Sequence, residues 1–126
     1  MTCVLDASAI LAVYFNEPGA DVVHRVVAGS LLSAVNYSEV IGKSLDRGRD
    51  YGRTLEALAQ MGFFIVPHDL FLARRTGELR PATRKFGLSI GDRACLALAE
   101  RESLPVYTTD RTWRGLELGI EIHVIR

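Results

Sequence analysis

Four carboxylates stand where a site can form: Asp6, Glu39, Asp92 and Asp110. Asp6 directly follows the apolar pair Val4-Leu5, and Asp110 follows Val106-Tyr107-Thr108. Glu39 and Asp92 fall in the early turns of two segments with helical patterning. If the apolar runs are strands of one parallel sheet, strand ends and helix starts share an edge, the crevice where open α/β folds bind ligands. Two carboxylates roughly 4 Å apart repel by about 4 kcal/mol at an effective dielectric of about 20. Four gathered there need a cation, or must raise their own pKa values. Oxygen-only donors suit Mg2+ or Mn2+ rather than zinc. Such ions on carboxylates lower the pKa of a bound water and neutralise charge in an in-line displacement at a phosphodiester.

Each acid also has a plainer use. Asp6 and Asp110 can be N-caps of the helices they precede. Ser89-Ile90-Gly91-Asp92 reads as a capping box, and Glu39 can form another with Asn36 or lie solvated on a helix face. Ser8 and Thr108 lie beside the acids, placed either to hydrogen-bond a carboxylate or metal-bound water, or to cap a helix and form a turn. His24, His68 and His123 are scattered without metal-ligand spacing, and no serine, cysteine or histidine arrangement offers a competing nucleophile. Cys3 and Cys95 lie in apolar runs and read as buried thiols in a reducing compartment.

The elements that must position the acids follow from punctuation and periodicity. Asp6 can cap a helix over 7–14, stopped near Asn16-Glu17-Pro18. A second helix is predicted over 20–28, presenting Val22, Val23, Val26 and Val27. Leu31-Leu32 is a brief strand, and Ser33 caps a helix to about Asp46. Helices follow over 51–61 and from His68 or Asp69 to Leu79, with the apolar strand 63–66 between them. Residues 81–86 form one more turn. The clearest helix spans 90–102, then a strand over 105–108, a short helix over 111–116 and a last strand over 120–125. Strands alternating with helices predict a three-layer α/β/α sandwich around a mainly parallel sheet. The continuously apolar strands predict burial on both faces. No linker, repeat or low-complexity tract divides the chain, so residues 1–126 are expected to form a single domain.

The hydrophobic share of 48% excludes a disordered chain, and the formal net charge of zero excludes a global basic field. Lys43 and Lys85 are the only lysines among 15 basic residues; arginine forks suit phosphate, although arginine-rich coding gives the same bias. No apolar run reaches the ~20 residues that span a bilayer, and the N-terminal stretch, interrupted by Asp6, has no basic leader region. A cytoplasmic protein is expected.

At the acids the chain resembles a PIN domain, and more closely the VapC-like toxins of toxin–antitoxin pairs. The resemblance is carried by Val4-Leu5-Asp6-Ala7-Ser8-Ala9 and by Ser33-Ala34-Val35-Asn36-Tyr37-Ser38-Glu39-Val40. It continues through Leu88-Ser89-Ile90-Gly91-Asp92-Arg93-Ala94-Cys95-Leu96-Ala97-Leu98-Ala99 and Val106-Tyr107-Thr108-Thr109-Asp110-Arg111-Thr112-Trp113. It implies a PIN-like fold, Mg2+- or Mn2+-dependent endoribonuclease activity, an inhibiting antitoxin and a homodimer. It gives a metal-holding role to Asp6, Glu39, Asp92 and Asp110, and a supporting polar role to Ser8 and Thr108. Some relatives carry a further acid after the fourth; here Arg111, Thr112 and Trp113 stand there, which leaves open whether one metal or two is bound.

Arg74, Arg75, Arg80, Arg84, Lys85 and Arg93 lie in or beside the stretch leading to the acidic helix, placed either for RNA phosphates or for a solvated face with ion pairs such as Arg74–Glu78. Trp113 is expected in the core rather than stacked on a base. The helical region 52–79 supplies apolar residues for core, dimer or antitoxin contacts. Two other readings stay open: an antitoxin-binding module with little catalysis, and a metal-dependent phosphatase of another α/β class. A haloacid-dehalogenase-type phosphatase wants a second Asp where Ser8 stands.

Overall fold

A computed structural model of the chain describes residues 3–126. Five short strands form one wholly parallel sheet: β1 (Val4–Leu5), β2 (Leu31–Ser33), β3 (Phe64–Val66), β4 (Val106–Thr108) and β5 (Ile122–Val124), in the order β3-β2-β1-β4-β5. Val4 is in register with both Leu31 and Val106. Successive strand residues point to opposite faces, and the two core clusters obey this. Leu5 packs with Ile10, Val23, Leu32, Val40 and Leu58 in one cluster. Val4 packs with Leu72, Leu88, Leu96, Val106 and Trp113 in the other. Three layers result, as the alternating elements predict.

The helices are α1 (Ala7–Tyr14), α2 (Ala20–His24), α3 (Ala34–Asp46), α4 (Tyr51–Gln60), α5 (Leu70–Glu78), α6 (Arg80–Thr83) and α7 (Ile90–Glu102), with 3-10 turns at Arg84–Phe86 and Arg111–Gly115. Their starts are set by side chains that accept otherwise orphaned N–H groups. Ser33 accepts from Val35, Asp50 from Arg53, Asp69 from Leu72, and Ser89 from Asp92. Helix α7 is buried continuously from Ala94 to Ala99 and lies between the sheet, α3 and α5.

Two expectations need correction. The second helix ends at His24 rather than continuing to residue 28. Val26 N–H bonds back to Val23 O, Ser30 Oγ donates to Val27 O, and Gly29 at φ +81° turns the chain into β2. β-branched Val22, Val23, Val26 and Val27 give the helix little reason to persist against that turn. The strand at Phe64–Val66 is not buried on both faces: it is a sheet edge, with Phe64 63% and Ile65 45% exposed. Its apolar run reflects an uncovered rim rather than a central position.

The topology fixes the crevice. The chain builds outward from β1 through β2 to β3, then crosses to β4 on the other side of β1. The switch point lies between β1 and β4, where an open α/β sheet binds its ligand beyond the strand ends.

Candidate metal centre

Asp6 and Asp110 leave the two strands that flank this switch point. Asp6 occupies the N-cap position of α1 in extended backbone, with its N–H bonded to Tyr107 O at 3.0 Å. Its side chain caps nothing. Instead the carboxylate, only 4% exposed, accepts Ser8 Oγ–H at 2.7 Å and Thr108 Oγ1–H at 3.0 Å, both on Oδ2. The Asp6 side chain is therefore not used as a helix cap, and Ser8 and Thr108 both hydrogen-bond its carboxylate. Ser8 Oγ also accepts Thr109 N–H at 3.0 Å, tying the end of β4 to the start of α1.

Burial is the main reason the Asp6 pKa rises, from 3.8 to about 6. The negative charges of Asp92 and Glu39 push it the same way, against the hydrogen bonds from Ser8 and Thr108. The thiol of Cys95, in α7, is pushed well up by burial and by the charges of Asp6, Asp92 and Glu39. Three carboxylates from three helix starts therefore act on one region.

Glu39 is held by a local device. Asn36 Nδ2 donates to Glu39 Oε1 at 2.7 Å and to the Gly91 carbonyl at 3.0 Å, joining α3 to the first turn of α7. The Glu39 carboxylate lies against Gly91 so closely that a Cβ there would overlap it. Asn36 Oδ1 is buried with no hydrogen-bond partner. Asp92 does form the capping box: its Oδ2 accepts Ser89 N–H at 2.9 Å, and Ser89 Oγ accepts Asp92 N–H at 3.1 Å. Capping takes one oxygen of Asp92 while its charge still acts on Asp6.

Asp110 follows the end of β4 by two residues. Its Oδ1 accepts Thr112 N–H at 2.9 Å and Thr112 Oγ1–H at 2.7 Å, capping the Arg111–Gly115 turn. Thr108 links it to Asp6: Thr108 Oγ1 accepts Asp110 N–H at 3.1 Å and donates to Asp6 Oδ2 at 3.0 Å. Among the described residues no three His, Cys, Asp or Glu side chains close around one point. The donor chemistry nevertheless fits a hard dication, being all oxygen, partly desolvated and made uncomfortable by its own like charges.

The basic residues singled out for RNA divide in two. Arg75 is committed to Glu100 by a fork at 2.6 and 2.9 Å, and Glu78 pairs with Arg75 at 3.6 Å rather than with Arg74. Arg93 donates to the Thr76 carbonyl at 2.9 Å, pinning α7 to α5. Arg74, Arg84 and Lys85 are exposed and make no ion pair with the described residues. Trp113 is fully buried, as a core residue. His123 stacks on Tyr107 at 4.6 Å and meets Glu121. Gly91 and the second bond of Asn36 were not legible in the sequence, because both depend on how α3 and α7 cross.

A model of the PIN domain family matches residues 3–117. None of the curated proteins compared matches the chain. Solved structures do. A toxin–antitoxin complex from Klebsiella pneumoniae aligns at 20% identity and TM-score 0.73, covering 91% of this chain and 92% of that one. A DNA-bound VapBC from Salmonella typhimurium aligns at 18% and 0.73, covering 98% and 97%. VapBC-5 from Mycobacterium tuberculosis aligns at 24% and 0.63, covering 99% and 98%. These likenesses establish a common fold. With the family match spanning all but the last nine described residues, the chain belongs to the PIN domain family.

Proposed function

We propose that this chain, a single PIN domain over residues 1–126, is a Mg2+- or Mn2+-dependent endoribonuclease and the VapC-like toxin of a toxin–antitoxin pair. The observation that carries the reading is the buried Asp6 carboxylate at the β1–β4 switch point, bonded by Ser8 and Thr108 and loaded by the charges of Asp92 and Glu39. An uncompensated arrangement of that kind is costly, and a divalent ion relieves it. Asp6, Glu39, Asp92 and Asp110 would hold the ion. When bound, it supplies Lewis-acid charge neutralisation for phosphodiester hydrolysis and makes water easier to deprotonate.

The chain's own groups orient the donors. Ser8 and Thr108 fix one oxygen of Asp6, Asn36 aims Glu39 across α7, and Ser89 sets the rotamer of Asp92. Ligands fixed in this way need not reorganise when the ion or a phosphate arrives.

Similar solved chains include members of toxin–antitoxin complexes, which supports an antitoxin partner for this chain, and the exposed apolar residues Phe64, Leu70 and Phe71 support a homodimer. No helix among the described residues is long and apolar enough to cross a membrane, in keeping with action on cytoplasmic RNA. The test is cleavage of RNA by the purified chain. It should proceed with Mg2+ or Mn2+, stop with chelator, and stop in Asp6→Ala and Asp92→Ala variants whose circular dichroism matches the parent. Cleavage that survives both substitutions would remove the assignment. A folded parent that binds an antitoxin yet cuts no RNA with either ion would make it a binding module.

A further inference from the structure

A cavity of about 370 Å3 opens beside the acids, lined by Ser8, Leu11, Phe15, Lys43, Arg47, Thr109 and others. Ser8 and Thr109 belong to both places: Ser8 Oγ donates to Asp6 and accepts from Thr109 N–H. The cavity and the acidic site therefore share a wall. Its volume lies within the roughly 300–1,000 Å3 usual for small-molecule sites.

The opposite wall is the continuation of α3. Lys43 lies four residues beyond Glu39, one helical turn away on the same face. The stripe that presents a carboxylate to the acidic site thus presents an ammonium to the cavity. Arg47 follows one turn later, its guanidinium 3.8 Å over the Phe15 ring. Glu17 accepts from Arg47 at 3.4 Å and from Arg126 at 3.3 Å, so one carboxylate serves two guanidinium groups. Lys43 is exposed and makes no ion pair with any described residue. In a chain of zero net charge, the cavity is lined by three cations, Lys43, Arg47 and Arg126, against Glu17 and Asp46.

An RNA strand carries one phosphate per nucleotide, so a strand reacting at the acids lays a neighbouring phosphate on adjoining surface. Resting on the nuclease reading, we propose that this cavity is a phosphate subsite for the RNA strand, with Lys43 as its main cation and Arg47 beside it. The two walls divide the work: carboxylates serve the phosphodiester that is cut, and Lys43 holds the one beside it as a point charge. The apolar lining by Leu11 and Phe15 is the feature a protein segment would use instead; the unpaired ammonium favours a polyanion.

The experiment measures binding of a fluorescein-labelled single-stranded RNA of about 12 nucleotides, a length one domain can cover, by anisotropy in EDTA, where no cleavage occurs. One phosphate contact on a single strand contributes about 0.7 to the slope of log K against log salt. Lys43→Gln should therefore flatten that slope by about 0.7 and weaken binding about fivefold at 0.1 M salt. Arg25→Gln, at an exposed pair outside the cavity lining, should change neither. With Mn2+, Lys43→Gln should raise KM and leave kcat close to the parent value.

Parent-like affinity and slope in both Lys43→Gln and Lys43→Glu, in a protein that cleaves RNA, would overturn the subsite alone. Absence of cleavage by the parent with either ion would overturn the nuclease reading and the subsite with it. Unchanged RNA binding in Lys43→Glu together with loss of the antitoxin complex would assign the cavity to a protein and equally overturn the proposal.

Discussion

At the scale of single residues, Asp6 is where burial and function oppose each other. Its carboxyl has a folded-state pKa of about 6 against an ordinary 3.8. The folded chain therefore binds this proton more tightly than the unfolded chain does. The stability this contributes is fully present below 3.8 and is lost as pH rises through about 6. A rise of that size corresponds to about 3 kcal/mol. In chelator, Asp6→Asn should thus be more stable than the parent at pH 7.5 by an amount of this order. The gap should close as pH falls to about 4, as followed by urea unfolding at each pH. A gap that stays constant across that range would show that the carboxylate is not held under strain. Ser8 and Thr108 keep their acceptor in the amide, so the comparison isolates the charge.

At the scale of elements, the site depends on how α3 and α7 meet. Gly91 lies in the first turn of α7, where alanine would ordinarily gain up to about 1 kcal/mol of helix propensity. Here a Cβ would overlap the Glu39 carboxylate and force it from the Asn36 amide. Gly91→Ala is expected to remain folded, lose at least tenfold in Mn2+-dependent cleavage, and show a smaller Mn2+-induced rise in Tm than the parent. A variant as active as the parent would mean that Glu39 need not sit where it does. The positions of α3 and α7 were readable because Ser33 and Ser89 cap their starts, and α7 spans the predicted residues, whereas Asp6 marks the start of α1 by its place alone. The strand at Phe64–Val66 misled because an apolar run has the same appearance at an edge as in the centre of a sheet. The roles of Arg75 and Arg93 were hidden for a similar reason: Glu100 and the Thr76 carbonyl are distant in sequence and reach them only through α5–α7 packing. Connectivity predicts the four acids at one edge, but that the charges of Asp92 and Glu39 bear on the buried Asp6 depends on packing that the sequence does not display.

At the scale of the whole molecule, proton, metal and fold are linked through the same carboxylates. An ion that binds only the folded chain stabilises it by about 2.7 kcal/mol at 100 times its Kd. That gain should register as a concentration-dependent rise in Tm with Mn2+. Because Asp6 must lose its proton to serve as a ligand, proton and metal compete for it. With a pKa of about 6, Asp6 is almost wholly ionised at pH 7.5 and about nine-tenths protonated at pH 5. The apparent Mn2+ affinity should therefore fall about tenfold between those values. Calorimetric titration at both pH values measures this directly, in buffers chosen so that proton release can be counted. Asp6→Asn should show weak binding at both pH values, since its neutral amide offers the ion no charge and has no titrating proton to compete with it. An affinity that fell no further than the ordinary carboxylates require would place the ion away from Asp6, and a pH-dependent affinity preserved in Asp6→Asn would assign the competing proton to another group.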